Sequence, residues 1–330
     1  MNKLQRTIKT VIKPKSICGI VISAGGIYWA FWDFQFHEFL NSIQEVNYLY
    51  LLFATLFLWG SVWLRALRWH WLFRTDTIPT IVSLYRAELM GYFGNNVLPF
   101  RLGEILRTYL IGREWNLSKN YVFGTVVLER ILDMISLVAL ALLLVLYYPL
   151  TEVVNKYIIW ASVLTLLLII IIFVILHHIK EIRGKHKIIY VLKQLIEGVL
   201  SINQRAFLPV TVLSILIWGI YLFDVYLVQC AFGFHLSFPQ ILMVMVLSSM
   251  ALSIPSAPGM IGTFHAAVKY TLVDLFGYAP HDGNSFAIFM HAYGYILLTF
   301  LGAFYFMKNQ FHENALKNVL DTEINRKTNA

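Results

Sequence analysis

The sequence predicts an all-α polytopic membrane protein, a bundle of about six spanning helices with two re-entrant helical hairpins. Three observations predict it. Of 330 residues, 58% are hydrophobic and only 13% charged, where a soluble domain carries about a quarter charged. Lys and Arg collect in the loops of one side. Two apolar stretches are interrupted in mid-course by Pro and Gly in a matching way.

The elements follow in order. The basic start MNKLQRTIKTVIKPK precedes an apolar run, as in a signal peptide. No small-residue cleavage site closes that run, which ends in FWDFQFHEF, so it reads as an uncleaved first helix. A span needs about 20 apolar residues, and a run of 10–14 reads as re-entrant, interfacial or buried. Six stretches meet the longer requirement: 17–36, 46–66, 121–147, 157–177, 207–231 and 285–307. The stretch 78–111 is interrupted by Arg86, Glu88, Arg101, Glu104 and Arg107, and 238–276 is broken by SIPSAPGMIG. If both double back, the two ends of the chain lie in the cytoplasm. Eighteen Lys and Arg then face that side, Arg65, Arg68 and Arg74 among them, against Lys156 alone on the other. This is the asymmetry that orients membrane helices. Eight spans result if either hairpin crosses fully. The whole chain reads as one membrane domain, with 308–330 a charged cytoplasmic tail.

The charge distribution excludes nucleic acid as a partner, because the net charge of +8 sits in short juxtamembrane loops. HHIKEIRGKHK reads as such a segment, attractive to anionic lipid, rather than as a metal site. Cys18 and Cys230 lie in apolar stretches without paired spacing and read as packing residues. No P-loop, HExxH, acidic metal run or nucleophile elbow occurs, so the sequence calls for no cofactor and no metal.

The two broken stretches align with one another. Each opens on a proline, Pro79 or Pro239, reaches a second about 20 residues on, Pro99 or Pro258, and places Gly103 or Gly262 four residues later. Each lies between two spans, giving repeats over 46–147 and 207–307. By the charge count the first hairpin enters from the cytoplasm and the second from outside, an inverted two-fold. Backbone at membrane depth is tolerated where protein buries it or it lines a wet cavity. Paired interruptions in inverted halves therefore point to a midplane binding site, and a helix starting after a break aims free N–H groups at an anion.

Ionisable groups inside a membrane are functional candidates by default. Arg101, Glu104 and Arg107 recur every three residues along one expected helical face, with Arg86 upstream. Glu129 and Asp133 are four apart on the next helix, beside Arg130. Arg101 and Arg107 suit phosphate, since a guanidinium matches it with paired donors. Glu104, Glu129 and Asp133 suit those arginines or a cationic amine, and Asn95 and Asn96 can supply donors at the turn. The other reading is a salt-bridged cytoplasmic vestibule that only fixes the fold. In the second half, His265 and Lys269 share a helical face after Pro258, Gly259 and Gly262. They either mirror the first site's cations or form an interfacial pair. Asp224 and His291 are candidates for proton coupling. Their plainer readings are a solvated carboxylate near the outer interface and a packing histidine.

These residues carry a family resemblance. GYFGNNVLPFRLGEILRTYLI, followed by TVVLERILDMISL and IPSAPGMIGTFHAAV, resembles the lysylphosphatidylglycerol synthase transmembrane region. That family is also called flippase-like and includes the N-terminal half of the multiple peptide resistance factor. The resemblance covers residues 10–310. It implies a helix bundle with two re-entrant hairpins that moves a modified or lipid-linked headgroup between leaflets of the cytoplasmic membrane. Its partner would be an anionic phospholipid or a polyprenyl-phosphate-linked headgroup. That factor carries a soluble aminoacyl-transferase domain where this sequence has a short charged tail, so aminoacylation is not expected. Thr263, Phe264 and His265 stand near a place where relatives often have a glutamate, and His265 could titrate instead. Two further functions fit the sequence. One is a non-transporting partner of a separate lipid synthase or glycosyltransferase. The other is a membrane-embedded transferase, with Glu129 and Asp133 on a divalent cation.

Overall fold

The computed structural model describes Tyr28 and residues 36–98, 101–147, 152–181, 187–253 and 258–328. Most of the expected first span, Cys18, Pro99 and residues 182–186 of the HHIKEIRGKHK segment lie outside the described residues. Within them all regular structure is helical: α1 (Phe36–Glu45), α2 (Tyr48–Trp71), α3 (Ile81–Val97), α4 (Gly103–Glu114), α5 (Lys119–Tyr147), α6 (Glu152–Glu181), α7 (Lys187–Val199), α8 (Gln204–Ala231), α9 (Phe238–Ser253), α10 (Thr263–Lys269) and α11 (Pro280–Thr328). Five of these, α2, α5, α6, α8 and α11, are long and apolar enough to cross a membrane. They match the five expected spans that fall within the described residues.

The differences lie at the ends of the helices. α2 runs on past residue 66 and takes Arg65 and Arg68 into the bundle, where their exposures are 4% and 0%. Both therefore leave the tally of loop charges. α11 continues through most of the expected tail to Thr328. The connection 178–207 holds α7, whose Ile189, Leu192, Ile196 and Val199 recur at helical spacing. α7 lies along α5, and Gly198 meets Gly124 so closely that a Cβ on either would sit 2.8 Å from the other's Cα. Small residues permit such approach between membrane helices.

The interrupted stretches form two hairpins. Thr80 caps α3, its hydroxyl accepting from the Ser83 amide at 3.3 Å. α3 has 17 residues, about 25 Å of helix, against a hydrocarbon core of ~30 Å. The chain then turns and α4 returns alongside. Asn95 meets Gly103, Glu88 meets Arg107, and Ser83 meets Glu114. A Cβ at Gly103 would run into the Gly91 carbonyl and Asn95, so only glycine fits this crossing. In the second hairpin, α9 is followed by a 3₁₀ turn at Pro258–Met260. There Gly259, Met260 and Gly262 have φ of 69°, 55° and 97°, and α10 and a π-helical turn, Tyr270–Leu275, follow.

α2 and α8 run antiparallel at the centre, the Asn47 amide donating to the Ala231 carbonyl at 2.9 Å. Around them the packing is reciprocal. α3 of the first hairpin lies on α11, and α9 of the second lies on α5. Two large apolar cores result, with a small third around Ile131, Ile169 and Val199. One is built on Leu51, Ala54, Leu144, Val228 and Phe286, the other on Val62, Trp69, Leu84, Val122 and Val210. The polar side chains gather where the two cores meet.

Candidate functional site

A cavity of about 420 Å³ lies between the hairpin tips, within the range of small-ligand sites. Asn95, Asn96, Arg101 and Glu104 border it from the first hairpin, and Gly259 and Met260 from the second. Arg130 and Asp133 of α5, Arg65 of α2, Asp224 of α8 and His291 of α11 complete its polar lining.

Behind one wall stands a buried ion-pair cluster. Glu129, fully buried, takes Arg130 at 2.7 Å, Arg107 at 3.3 Å, Arg68 at 3.7 Å and Arg65 in closer contact. Asp133 takes Arg68 at 2.7 Å and Arg65 at 3.2 Å. Arg107 is paired with Glu88 and lies 4.8 Å over the Trp69 ring. Arg130 reaches Glu104 at 3.7 Å. Four guanidinium groups thus meet four carboxylates, and each charge inside the low-dielectric bundle is compensated.

Arg101 is outside this balance. It sits before α4 with φ 54°, and its Nη2 donates to the Leu252 carbonyl at the end of α9. Among the described residues it has no carboxylate within ion-pair distance, and its Nε donates to no protein group. It therefore brings one uncompensated positive charge to the cavity wall and ties one hairpin tip to the other. Asn96 makes a second tie, its Nδ2 donating to Thr299 Oγ1 at 2.8 Å.

The structure corrects several expectations. Arg101, Glu104 and Arg107 do not share a helical face: Arg101 precedes the helix, Glu104 borders the cavity, and Arg107 points behind it into the cluster. Arg107 is 2% exposed and paired with Glu88 and Glu129, off the cavity lining. Arg86 pairs with Glu114 at 2.9 Å on the exposed outside of the hairpin. Asn95 uses its carbonyl to accept from the Gly103 amide at 3.0 Å, closing the turn. His265 and Lys269 are buried in α10 behind the cavity wall, with His265 Nδ1 3.5 Å from the Gly262 amide. His291 packs its ring 4.9 Å from Phe264 and 5.0 Å from His265 and bonds the Gly259 backbone. Asp224 is 6% exposed, far from a solvated interface position. Arg65, Arg68 and Glu88 belong to the cluster although the sequence reading left them out as site residues. The legible signal was the i, i+3 spacing of Arg65 and Arg68, which places both on one face of α2.

Residues 16–302 match the family described as the lysylphosphatidylglycerol synthase TM region. The chain belongs to that family. The lysylphosphatidylglycerol synthase transmembrane-region match takes in the cluster, both hairpins and the cavity. Archaeal UPF0104 membrane proteins are similar to it as well. That of Methanocaldococcus jannaschii is 28% identical over 54% of this chain and 79% of its own length. That of Pyrococcus horikoshii is 23% identical over 74% and 82%, and that of Methanothermobacter thermautotrophicus 25% over 73% and 79%. No solved structure matches this family member.

Proposed function

We propose that this protein moves the anionic headgroup of a membrane lipid between leaflets, with Arg101 as the phosphate contact. The observation that carries the reading is the cavity between the hairpin tips, bordered by the one arginine of the group with no carboxylate partner among the described residues. A phosphate there would receive two parallel guanidinium donors in a setting where a charged contact is worth more than in water. Asn96 and Glu104 border the same space and can contact the rest of the headgroup. The Arg101–Leu252 contact closes one hairpin tip on the other, and opening it toward one leaflet or the other would give alternating access. The reciprocal packing of each hairpin on the last helix of the other half supports such rocking of two related units. The cytoplasmic membrane, with both ends of the chain in the cytoplasm, is the setting this reading takes.

A membrane-embedded transferase is a weaker reading, because Glu129 and Asp133 are already engaged by four arginines. A divalent cation would have to displace those arginines. A non-transporting partner of a lipid synthase draws support from the family's description.

The test is leaflet exchange of a fluorescent phosphatidylglycerol in vesicles holding the purified protein. Arg101→Ala is expected to slow exchange by about tenfold or more, since a hydrogen bond to a charged group is worth ~1.5–3 kcal/mol. Arg86→Ala, outside the cavity, should leave it unchanged. A well-folded wild type that exchanges neither this lipid nor others would select the synthase-partner reading.

A further inference from the structure

Across the cavity from the ion-pair cluster stands a carboxylate without a cation. Trp218, Tyr221, Asp224 and Val225 of α8 border the cavity as one helical face. The Tyr293 hydroxyl of α11 donates to Asp224 Oδ2, while Oδ1, equally buried, accepts from no described protein group. The charged and titratable groups facing it on the neighbouring helices are few. α2 offers Arg65, which is turned onto Glu129 and Asp133 and reaches α8 only at the Tyr221 hydroxyl, 3.5 Å away. α5 offers Arg130 and Asp133, already paired to one another at 3.4 Å. α11 offers Tyr293, Tyr295 and His291, the last bonded to the Gly259 backbone. α9 contains no titratable residue. No cation among the described residues lies within ion-pair distance of Asp224.

We propose that Asp224 binds a proton in the transport cavity, and that loading of an anionic headgroup and of that proton are coupled one to one. This rests on the transport reading above. An isolated buried carboxylate is costly as an anion, and the cheapest remedy is to hold a proton. Oδ1 is the atom with no donor among the described residues, so the new O–H bond forms there. A phosphate entering the same 420 Å³ space adds a second negative charge, which favours the protonated form. By linkage, a protonated Asp224 favours the phosphate equally. Phosphate and proton then cross together, and the pair carries no net charge. Arg101 and Asp224 have distinct tasks, one holding the anion and the other sensing that it is there.

The experiment uses full-length protein in phosphatidylcholine vesicles carrying trace fluorescent phosphatidylglycerol, with the membrane potential clamped and a pH gradient imposed. For wild type the label should move toward the leaflet on the alkaline side. One-to-one coupling drives it toward about a tenfold leaflet ratio per pH unit. Asp224→Asn should still exchange lipid but settle at the same ratio with or without the gradient, and Asp224→Glu should keep the response. Wild-type exchange indifferent to the pH gradient, or following a sodium gradient instead, overturns the proposal while leaving transport intact. A response that survives in Asp224→Asn also overturns it. No exchange by wild type overturns the transport reading and this one with it. The wild-type arm decides even if the asparagine variant fails to fold.

Discussion

Glu129 is the residue on which the buried cluster turns, and Glu129→Gln is the perturbation that weighs it. The side chain is fully buried and is shared among Arg130 at 2.7 Å, Arg107 at 3.3 Å, Arg68 at 3.7 Å and Arg65. Glutamine keeps the volume but removes one of the four negative charges that balance four guanidiniums. Its amide nitrogen must also face another donor. Breaking a buried pair by removing one partner costs about 3–5 kcal/mol, most of it the uncompensated charge left behind. The control is Arg86→Ala. Its pair with Glu114 is 41% and 45% exposed, so its loss should cost ~0–1 kcal/mol. Unfolding by sodium dodecyl sulfate in mixed micelles, followed through the chain's nine tryptophans, reads both. The expected result is a loss of at least about 3 kcal/mol for Glu129→Gln and a near-neutral Arg86→Ala. A Glu129→Gln protein within about 1 kcal/mol of wild type would refute the view that these charges compensate one another.

Two glycine pairs give further tests by the same titration. Gly103→Ala puts a methyl against the Gly91 carbonyl and Asn95 and should cost more than ~2 kcal/mol by prising the first hairpin open. Gly219→Ala, where nothing stands within 4 Å in mid-α8, should stabilise by about 0.5–1 kcal/mol; a similar loss in both would show that the crossing is not tight. Gly259 and Gly233 have φ of 69° and 65°, but only at Gly259 would a Cβ meet the Tyr295 ring. Gly233→Ala should show the backbone cost alone, about 1–2 kcal/mol, and Gly259→Ala clearly more. Equal losses would remove the Tyr295 contact from the account of the second tip.

The helical class and the five described spans were legible because a run of some 20 apolar residues has few other solutions. The two hairpins were legible through Pro79, Gly103, Pro258 and Gly262, which mark where a helix must stop or two backbones must touch. The direction of the charged side chains was not. Arg101 and Arg107 look equivalent by spacing, yet the left-handed φ at Arg101 turns one toward the cavity and leaves the other in the cluster. Arg65 and Arg68 look like loop charges because the carboxylates that compensate them inside the bundle, Glu129 and Asp133, lie some 60 residues away in sequence. α7 escaped notice because its apolar face is short and its Gly198 contact depends on Gly124, some 70 residues earlier.

The reciprocal packing has a consequence for biosynthesis. The ion pairs of the cluster close with α2, α3, α4 and α5 alone, and α8 adds only the Ser214 and Tyr221 hydroxyls to Arg68 and Arg65, so the first hairpin can neutralise its charges soon after it leaves the ribosome. Its outer flank must wait for α11, the last of the described helices. The second hairpin meets the opposite order, since α5, its support, is already in place when α9 emerges. During insertion the nascent chain thus holds a finished electrostatic core beside an unfinished apolar flank. Until α11 arrives, lipid tails can cover that flank, being as apolar as its Leu89 and Phe93.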